Sequence, residues 1–241
     1  MRFGIFGDIH GNLEALQAVM AEMEKIAVDE YLCLGDVVGY GADPEMCVNI
    51  VREIGALTIA GNHDHAVIGC LDRSFFNQYA REAAAWTEAH LSPDSQQWLR
   101  SLSFVEHCES FSVVHGSLEA PENFNYVQTP RQAEYNFRAM ERPLLFLGHS
   151  HQPLVFYDTS PITYSMDTLI RIDGSSPKII INIGSVGQPR DEDPRASYVI
   201  YDEDKGEVCV YRVEYDVERA AAKIIDAGLP EALALRLKYG K

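Results

Sequence analysis

No stretch of these 241 residues stays apolar for the ~18 positions that a helical bilayer span needs, so no membrane-crossing helix is expected. Basic residues are scarce: 20 Lys and Arg stand against 36 Asp and Glu, a net charge of −16. Proteins that grip a long phosphate backbone do so with a surplus of Lys and Arg, which argues against a long nucleic acid as the main partner. A small phosphorylated substrate stays open, because bound cations can be the largest local charges in a site. No positively charged segment with an apolar stretch precedes the first strand, so no secretory leader is expected and the expected compartment is the cytoplasm. The five cysteines (Cys33, Cys47, Cys70, Cys108, Cys209) are odd in number, scattered and without C-x-x-C spacing. They read as reduced, mostly buried thiols of a cytosolic protein. Repeats, low-complexity tracts and linkers are also missing, so residues 1–241 are expected to form one α/β domain.

What is present is a recurring local grammar. The apolar run Phe3–Phe6 ends in Gly7-Asp8-Ile9-His10-Gly11-Asn12. Alternation puts Asp8 and His10 on one side of an extended segment, a hard oxygen ligand beside a borderline nitrogen ligand. Leu13, Leu16, Val19, Met20, Met23 and Ile26 then recur at helical spacing, with Asn12 placed to cap. Tyr31–Leu34 reads as a second strand ending in Gly35-Asp36, and Asp43-Pro44 opens a second helix. Ala56–Ala60 reads as a third strand, running into Gly61-Asn62-His63-Asp64-His65. Strand-helix alternation of this kind implies a largely parallel sheet with sites at its carboxyl ends.

Ser74 to about Arg100 reads as helical with a break at Ser92-Pro93, its aromatics Phe75, Phe76, Tyr79, Trp86 and Trp98 expected in the core or in helix packing. Strands at Ser110–Val114 and Leu144–Leu147 deliver His115-Gly116 and Gly148-His149-Ser150-His151, and the loop from Leu118 to Gln128 is expected to border the site. The later runs Val155–Tyr157, Thr168–Ile172, Ile179–Ile183, Tyr198–Tyr201 and Val208–Val213 suggest a second sheet packed on the first.

Taken singly, an Asp after glycine caps a turn and a His beside glycine is a bonded loop residue. Asp8, His10, Asp36, Asn62, His115, His149 and His151 nevertheless come from five strand ends of the same pattern. Seven ligands exceed what one tetrahedral zinc takes and suit two metals sharing a carboxylate. A mixed nitrogen and oxygen set without thiolate favours Mn, Fe, Zn or Co over calcium, with Mn the preferred choice.

Gly7-Asp8-Ile9-His10-Gly11-Asn12, Gly35-Asp36-Val37-Val38-Gly39, Gly61-Asn62-His63-Asp64, Val114-His115-Gly116 and Gly148-His149-Ser150-His151 together resemble the calcineurin-like metallophosphoesterases, in that family's order. The resemblance implies a four-layer α/β/β/α sandwich of two mixed sheets holding two divalent metal ions. It implies Asp8, His10, Asp36 and His151 on one metal and Asp36, Asn62, His115 and His149 on the other, Asp36 bridging. The run Ile183–Arg190 further looks like the small bacterial and archaeal phosphodiesterase branch, with Asn182-Ile183-Gly184-Ser185 where that branch usually has Asn-Pro-Gly-Ser.

The implied reaction is hydrolysis of a small phosphodiester by a metal-bridging hydroxide. His63 resembles the residue that assists the leaving oxygen, with Asp64 expected to orient or charge its ring. Arg190 is expected to fork onto substrate phosphate, against a rival salt bridge to Asp191 or Glu192. Two alternatives share the core motifs: a protein or dinucleoside-polyphosphate phosphatase, and a non-catalytic scaffold for protein partners. A scaffold has no need of His63 or of the full ligand set. A nuclease of this fold would want a basic groove, which an acidic chain would have to build from few residues.

Overall fold

The computed structural model describes residues 1–241. The chain begins β1 (Arg2–Phe6), α1 (Leu13–Ile26), β2 (Glu30–Cys33), α2 (Pro44–Glu53), β3 (Leu57–Thr58) and α3 (Asn62–Val67). A 3-10 turn at Arg73–Phe75 precedes α4 (Gln78–His90), α5 (Pro93–Arg100), β4 (Val105–His107) and β5 (Phe111–Val114). A second 3-10 turn at Pro121–Asn123 leads to α6 (Pro130–Ala139), β6 (Leu144–Leu147), β7 (Leu154–Tyr157), β8 (Thr163–Ser165), β9 (Leu169–Arg171) and β10 (Ile179–Asn182). β11 (Ala196–Asp202), β12 (Glu207–Val213), α7 (Val217–Asp226) and α8 (Glu231–Tyr239) complete it.

Two six-stranded sheets form, in the orders β3-β2-β1-β11-β12-β9 and β4-β5-β6-β10-β7-β8. The unbroken apolar runs of β1, β6 and β10 are strands buried on both faces, and period-2 alternation sorts their side chains between layers. Phe3, Ile5, Phe146, Ile179 and Ile181 meet between the sheets, together with Phe111, Val199 and Tyr201. Their neighbours point the other way: Phe6 into the core under α1 and α2, and Leu145, Leu147 and Ile180 into the core under α6. The result is the expected four-layer α/β/β/α arrangement. Truncating Phe146, fully buried between the sheets, would cost about 3–5 kcal/mol.

The expected grouping of the late strands into a sheet of their own does not hold. β11, β12 and β9 extend the first sheet and β10, β7 and β8 extend the second. The reason lies at β1 and β6, which pair in parallel with β2 and β5 on one side and expose a second row of main-chain groups on the other. The antiparallel β11 satisfies that row for β1 and the parallel β10 does so for β6. Three short elements, β4, β8 and α3, escape sequence periodicity because each spans too few residues to show one.

Helices begin where the sequence supplies acceptors: Asn12, Asn77, Ser92, Thr129 and Asp216 each take a main-chain N–H of the first turn. α7 and α8 pack with α4 and Tyr40 in a separate apolar cluster. A charge strap secures them, with Lys223 Nζ 2.6 Å from Glu14 Oε1 on α1 and 2.7 Å from Asp43 Oδ2 before α2. All five cysteines are unpaired; Cys33 and Cys47 are buried, Cys70 is exposed, and Cys108 and Cys209 lie between. No helix is long and apolar enough to cross a membrane.

Candidate metal centre and substrate cleft

The five motif turns converge at the carboxyl ends of β1, β2 and β6 and beside β3 and β5. Asp8, His10, Asp36 and His151 each offer one ligand atom, and these atoms lie within 4.8 Å of one another. Asp36, His115 and His149 form a second group of the same kind, so Asp36 belongs to both. Asn62 joins the second group, its Oδ1 3.1 Å from His115 Nε2. All seven residues are buried.

Main-chain partners set the direction of the rings. His151 Nδ1 donates to Gln188 O at 2.6 Å and His115 Nδ1 to Leu34 O at 2.7 Å, which leaves each Nε2 lone pair facing inward. His10 Nε2 and His151 Nε2 consequently stand 3.1 Å apart, and His151 Nε2 lies 3.1 Å from Asp8 Oδ1. Asp8 Oδ1 and Asp36 Oδ2 are buried with no hydrogen-bond donor. A buried charged oxygen left unmatched costs more than the ~1–3 kcal/mol of a neutral group. Converging lone pairs around orphaned carboxylate oxygens fit a pair of divalent cations, and the absence of thiolate suits metals that accept mixed nitrogen and oxygen donors.

The electrostatics agree with that fit. Burial lowers the pKa of His10, His149 and His151, keeping these rings neutral and able to ligate. Burial would lower His115 too, but the adjoining Asp36 outweighs it and raises the ring to about 10, so a cation bound there would have to displace the Nε2 proton. Asp36 is the converse: burial alone would raise it, yet His115, His63 and His10 hold it well below the carboxylate range. The negative charge of the site is centred on the residue common to both groups.

The backbone is strained at the same positions. Asp8, His10, Asp36, His149 and His151 all take positive φ, between 50° and 67°. Hydrogen bonds overdetermine them: Asp8 N donates to Gly35 O and His10 N to Asp36 O, both at 2.9 Å. The loop after β10 straps the opposite side. Ser185 Oγ donates to Asp8 O at 2.9 Å, and Asn182 Nδ2 donates to Gly148 O at 2.7 Å and to Ser150 Oγ at 2.9 Å.

His63 lies outside both groups. Its ring packs against Tyr40, Phe76 and His10 with centroids 4.3, 4.6 and 4.8 Å away, and its Nδ1 has no partner. The expected pairing with Asp64 is absent. Asp64 Oδ1 accepts from Val38 N at 3.2 Å and Oδ2 from Gly61 N at 3.0 Å, so both oxygens close the turn at the start of α3. A carboxylate committed to two main-chain donors can neither orient nor charge the neighbouring ring. Burial instead lowers His63 to about 4, while burial and the charge of Asp36 raise Asp64 to about 7.

A cleft of about 500 Å³ opens over Asn62, His63 and His149, and Arg190 lines it. Arg190 makes no ion pair with Asp191 or Glu192; Asp191 pairs with Arg212 instead. Arg190 Nη2 donates to Gln188 Oε1 at 2.9 Å, and its Nε is buried without a partner. The loop after β5 borders the cleft as expected, through Glu122, Asn123, Phe124 and Tyr126. Tyr126 stacks on His149 with centroids 3.9 Å apart and planes 15° apart.

Of the aromatics expected in the core or in helix packing, Phe76 packs against the α7–α8 cluster while also lining this cleft, whereas Phe75 is 81% exposed. Sequence reasoning gave Tyr40 no role of its own and missed Arg236 altogether, the second lying on α8 far from every motif. Only the glycines flanking Tyr40 signalled its place, and nothing local marks Arg236.

The calcineurin-like phosphoesterase superfamily domain matches residues 1–206. The chain belongs to the calcineurin-like phosphoesterase superfamily. Across its whole length this phosphoesterase is 41% identical to a metallophosphoesterase from Sphaerobacter thermophilus, with a TM-score of 0.90, covering 100% of this chain and 99% of that one. It is 37% identical over 241 residues to the protein MJ0912 of Methanocaldococcus jannaschii, covering 98% of this chain and 97% of the relative. The protein PH1004 of Pyrococcus horikoshii shares the fold, with a TM-score of 0.83 at 19% identity and coverage of 100% and 98%. Members of this metal-dependent family are phosphoric ester hydrolases, and the phosphoesterase described here carries a buried Asp/His cluster with room for two metals.

Proposed function

We propose that this chain is a cytoplasmic phosphodiesterase that hydrolyses a small phosphodiester with two divalent cations, manganese preferred. Asp8, His10, Asp36 and His151 hold one cation and Asp36, Asn62, His115 and His149 the other. The observation that carries this reading is Asp36, shared by two donor groups beside a cleft lined by Arg190, an arginine with no Asp or Glu partner. When bound, the two cations supply Lewis acidity, polarising a phosphoryl oxygen and lowering the pKa of a water molecule.

The residues of the chain do the rest. Asp36 fixes the spacing of the two groups, and the main-chain acceptors Leu34 and Gln188 hold His115 and His151 in the ligating tautomer. Arg190, which lines the cleft, hydrogen-bonds a non-bridging phosphate oxygen through its guanidinium and turns the ester in line. His63, anchored through its main-chain N–H to Asp36 Oδ1 at 2.7 Å, presents its ring to the leaving oxygen. Asp64 has a positioning part only, holding the turn from which His63 projects. The aromatic walls Phe76, Phe124 and Tyr126 accept organic ester arms and exclude water from the reacting centre. A cleft of about 500 Å³ exceeds a lone phosphate and leaves space for an organic ester arm.

The test is hydrolysis of bis(p-nitrophenyl) phosphate by protein stripped with chelator and reloaded with manganese. Turnover that returns with the metal is the expected result. A reloaded protein holding two metals per chain and cleaving no aryl diester would leave the scaffold reading in its place.

A further inference from the structure

Two arginines line one cleft in a chain of net charge −16. Arg190 follows the loop after β10, whereas Arg236 arrives from α8, beyond the residues 1–206 that match the superfamily domain. Neither pairs with an Asp or Glu side chain, although Glu122 also lines the cleft. Arg236 gives its Nε to the main-chain oxygen of Lys241 at 2.7 Å, and Arg190 gives one Nη2 to Gln188. The buried Nε of Arg190 has no acceptor at all. Arg236 is half-buried and lines the same cleft as Arg190.

Such an arrangement is unfavourable unless an anion completes it. The scissile phosphoryl group does not need both arginines. Two divalent cations offset by Asp8 and Asp36 leave a surplus of about two positive charges against the single charge of a diester. Arg190 adds a further one, and Arg236 then has no counter-charge in the reacting group.

Resting on the phosphodiesterase reading above, we propose that Arg236, together with Arg190, seats a second phosphate of the substrate that is not cleaved. The preferred substrate is a phosphodiester bearing an additional terminal phosphate. The α7–α8 pair is the element that confers this preference. It is fixed for the purpose by the Lys223 bridge to Glu14 and Asp43, which ties α7 to the segments flanking the first and second motif turns. Guanidinium forks match phosphate oxygens in pairs, which a lysine point charge does not.

Isothermal titration of the manganese-loaded full chain with non-hydrolysable phosphonates tests the seat directly. The probes are propane-, butane- and pentane-diphosphonate, each against the corresponding monophosphonate. The wild-type protein should bind the best-fitting diphosphonate at least about tenfold more tightly than its monophosphonate partner, the worth of one charge-assisted bond. R236Q should bring that ratio close to one, and R236K should restore it in part. A wild-type ratio near one for every chain length overturns the proposal, as does a ratio that survives R236Q. Cleavage of bis(p-nitrophenyl) phosphate reports on the catalytic reading alone. A protein that cleaves it without discriminating the phosphonates keeps its activity and loses the second seat; one that discriminates without cleaving does the reverse.

Discussion

Asn182 is the residue through which the fold most directly holds the metal centre without touching it. Its side chain is completely buried and makes three bonds: Nδ2 to Gly148 O and Ser150 Oγ, and Oδ1 from Gly184 N at 3.0 Å. The first two grip the turn that carries His149 and His151, both at positive φ. In Asn182→Ala, Gly148 O keeps the N–H of Ser150 at 2.7 Å, but Gly184 N has no replacement acceptor. One orphaned N–H and two lost bonds, each near 1 kcal/mol, together give about 3 kcal/mol. For a chain of this length that corresponds to a fall in Tm of about 6–12 °C. Circular dichroism melts measure it, and elemental analysis of the same samples should find fewer than two metals per chain, because the released turn lets both histidines relax. Asn182→Asp should be worse, since it sets a carboxylate oxygen against the carbonyl of Gly148. An Asn182→Ala protein with unchanged Tm and a full complement of metal would refute the idea that this strap maintains the strained turn.

Four other outcomes follow from the same geometry. Gly39→Ala puts a Cβ 2.6 Å from His63 Nδ1 at a residue with φ of +94°, so turnover should fall while metal content stays close to wild type. His63→Ala should lower kcat by about 10²–10⁴-fold with nearly two metals retained; loss of metal instead would make His63 a ligand. Burial favours the neutral form of Glu45, but bonds from Ser92 N, Ser92 Oγ and Ser95 Oγ outweigh it and lower its pKa. A lowered carboxylate contributes stability above its unfolded value of about 4.3 and loses it as pH falls through the folded one, so urea midpoints of Glu45→Gln should converge on wild type between about pH 5 and pH 3. Chelator treatment should lower Tm by an amount that grows with the prior metal concentration, about 2.7 kcal/mol at a hundredfold excess over Kd; an unchanged Tm would argue against a buried site.

The centre of this molecule was legible in the sequence for a physical reason. Ligand turns follow buried strands directly, and both features leave local marks: an apolar run, then glycine, then Asp or His. Asp8, His10, Asp36, His115, His149 and His151 were found that way and do meet in two groups around Asp36, with Asn62 beside His115. The cleft was harder to read. Phe75 and Phe76 sit in an aromatic stretch whose burial depends on whether anything covers it, and no local pattern encodes that. Asp64 looked like a partner for His63 because it is adjacent, yet in the first turn of a helix its carboxylate turns back to the main chain. Arg236 is an arginine in an amphipathic helix and looks like any other. Only the packing of α8 against Tyr40 brings it to the cleft.

The positive φ values tie stability to chemistry. Five of the seven donors occupy the left-handed region, where an L-residue costs about 1–2 kcal/mol, less for Asp. Their combined cost, of order 5 kcal/mol, is comparable with the whole stability of many domains. Strain of that size persists only because strand ends on opposite sides of the site hold it: Gly35 O and Asp36 O from one direction, Ser185 Oγ and the N–H of Gly187 from the other. The same bonds that keep Asp8 and His10 strained keep the carboxylate oxygens unpaired and the imidazole lone pairs convergent. A cation relieves the electrostatic part of this cost and leaves the conformational part in place. Substitutions that relax these turns should therefore cost metal affinity even where they add stability to the chain.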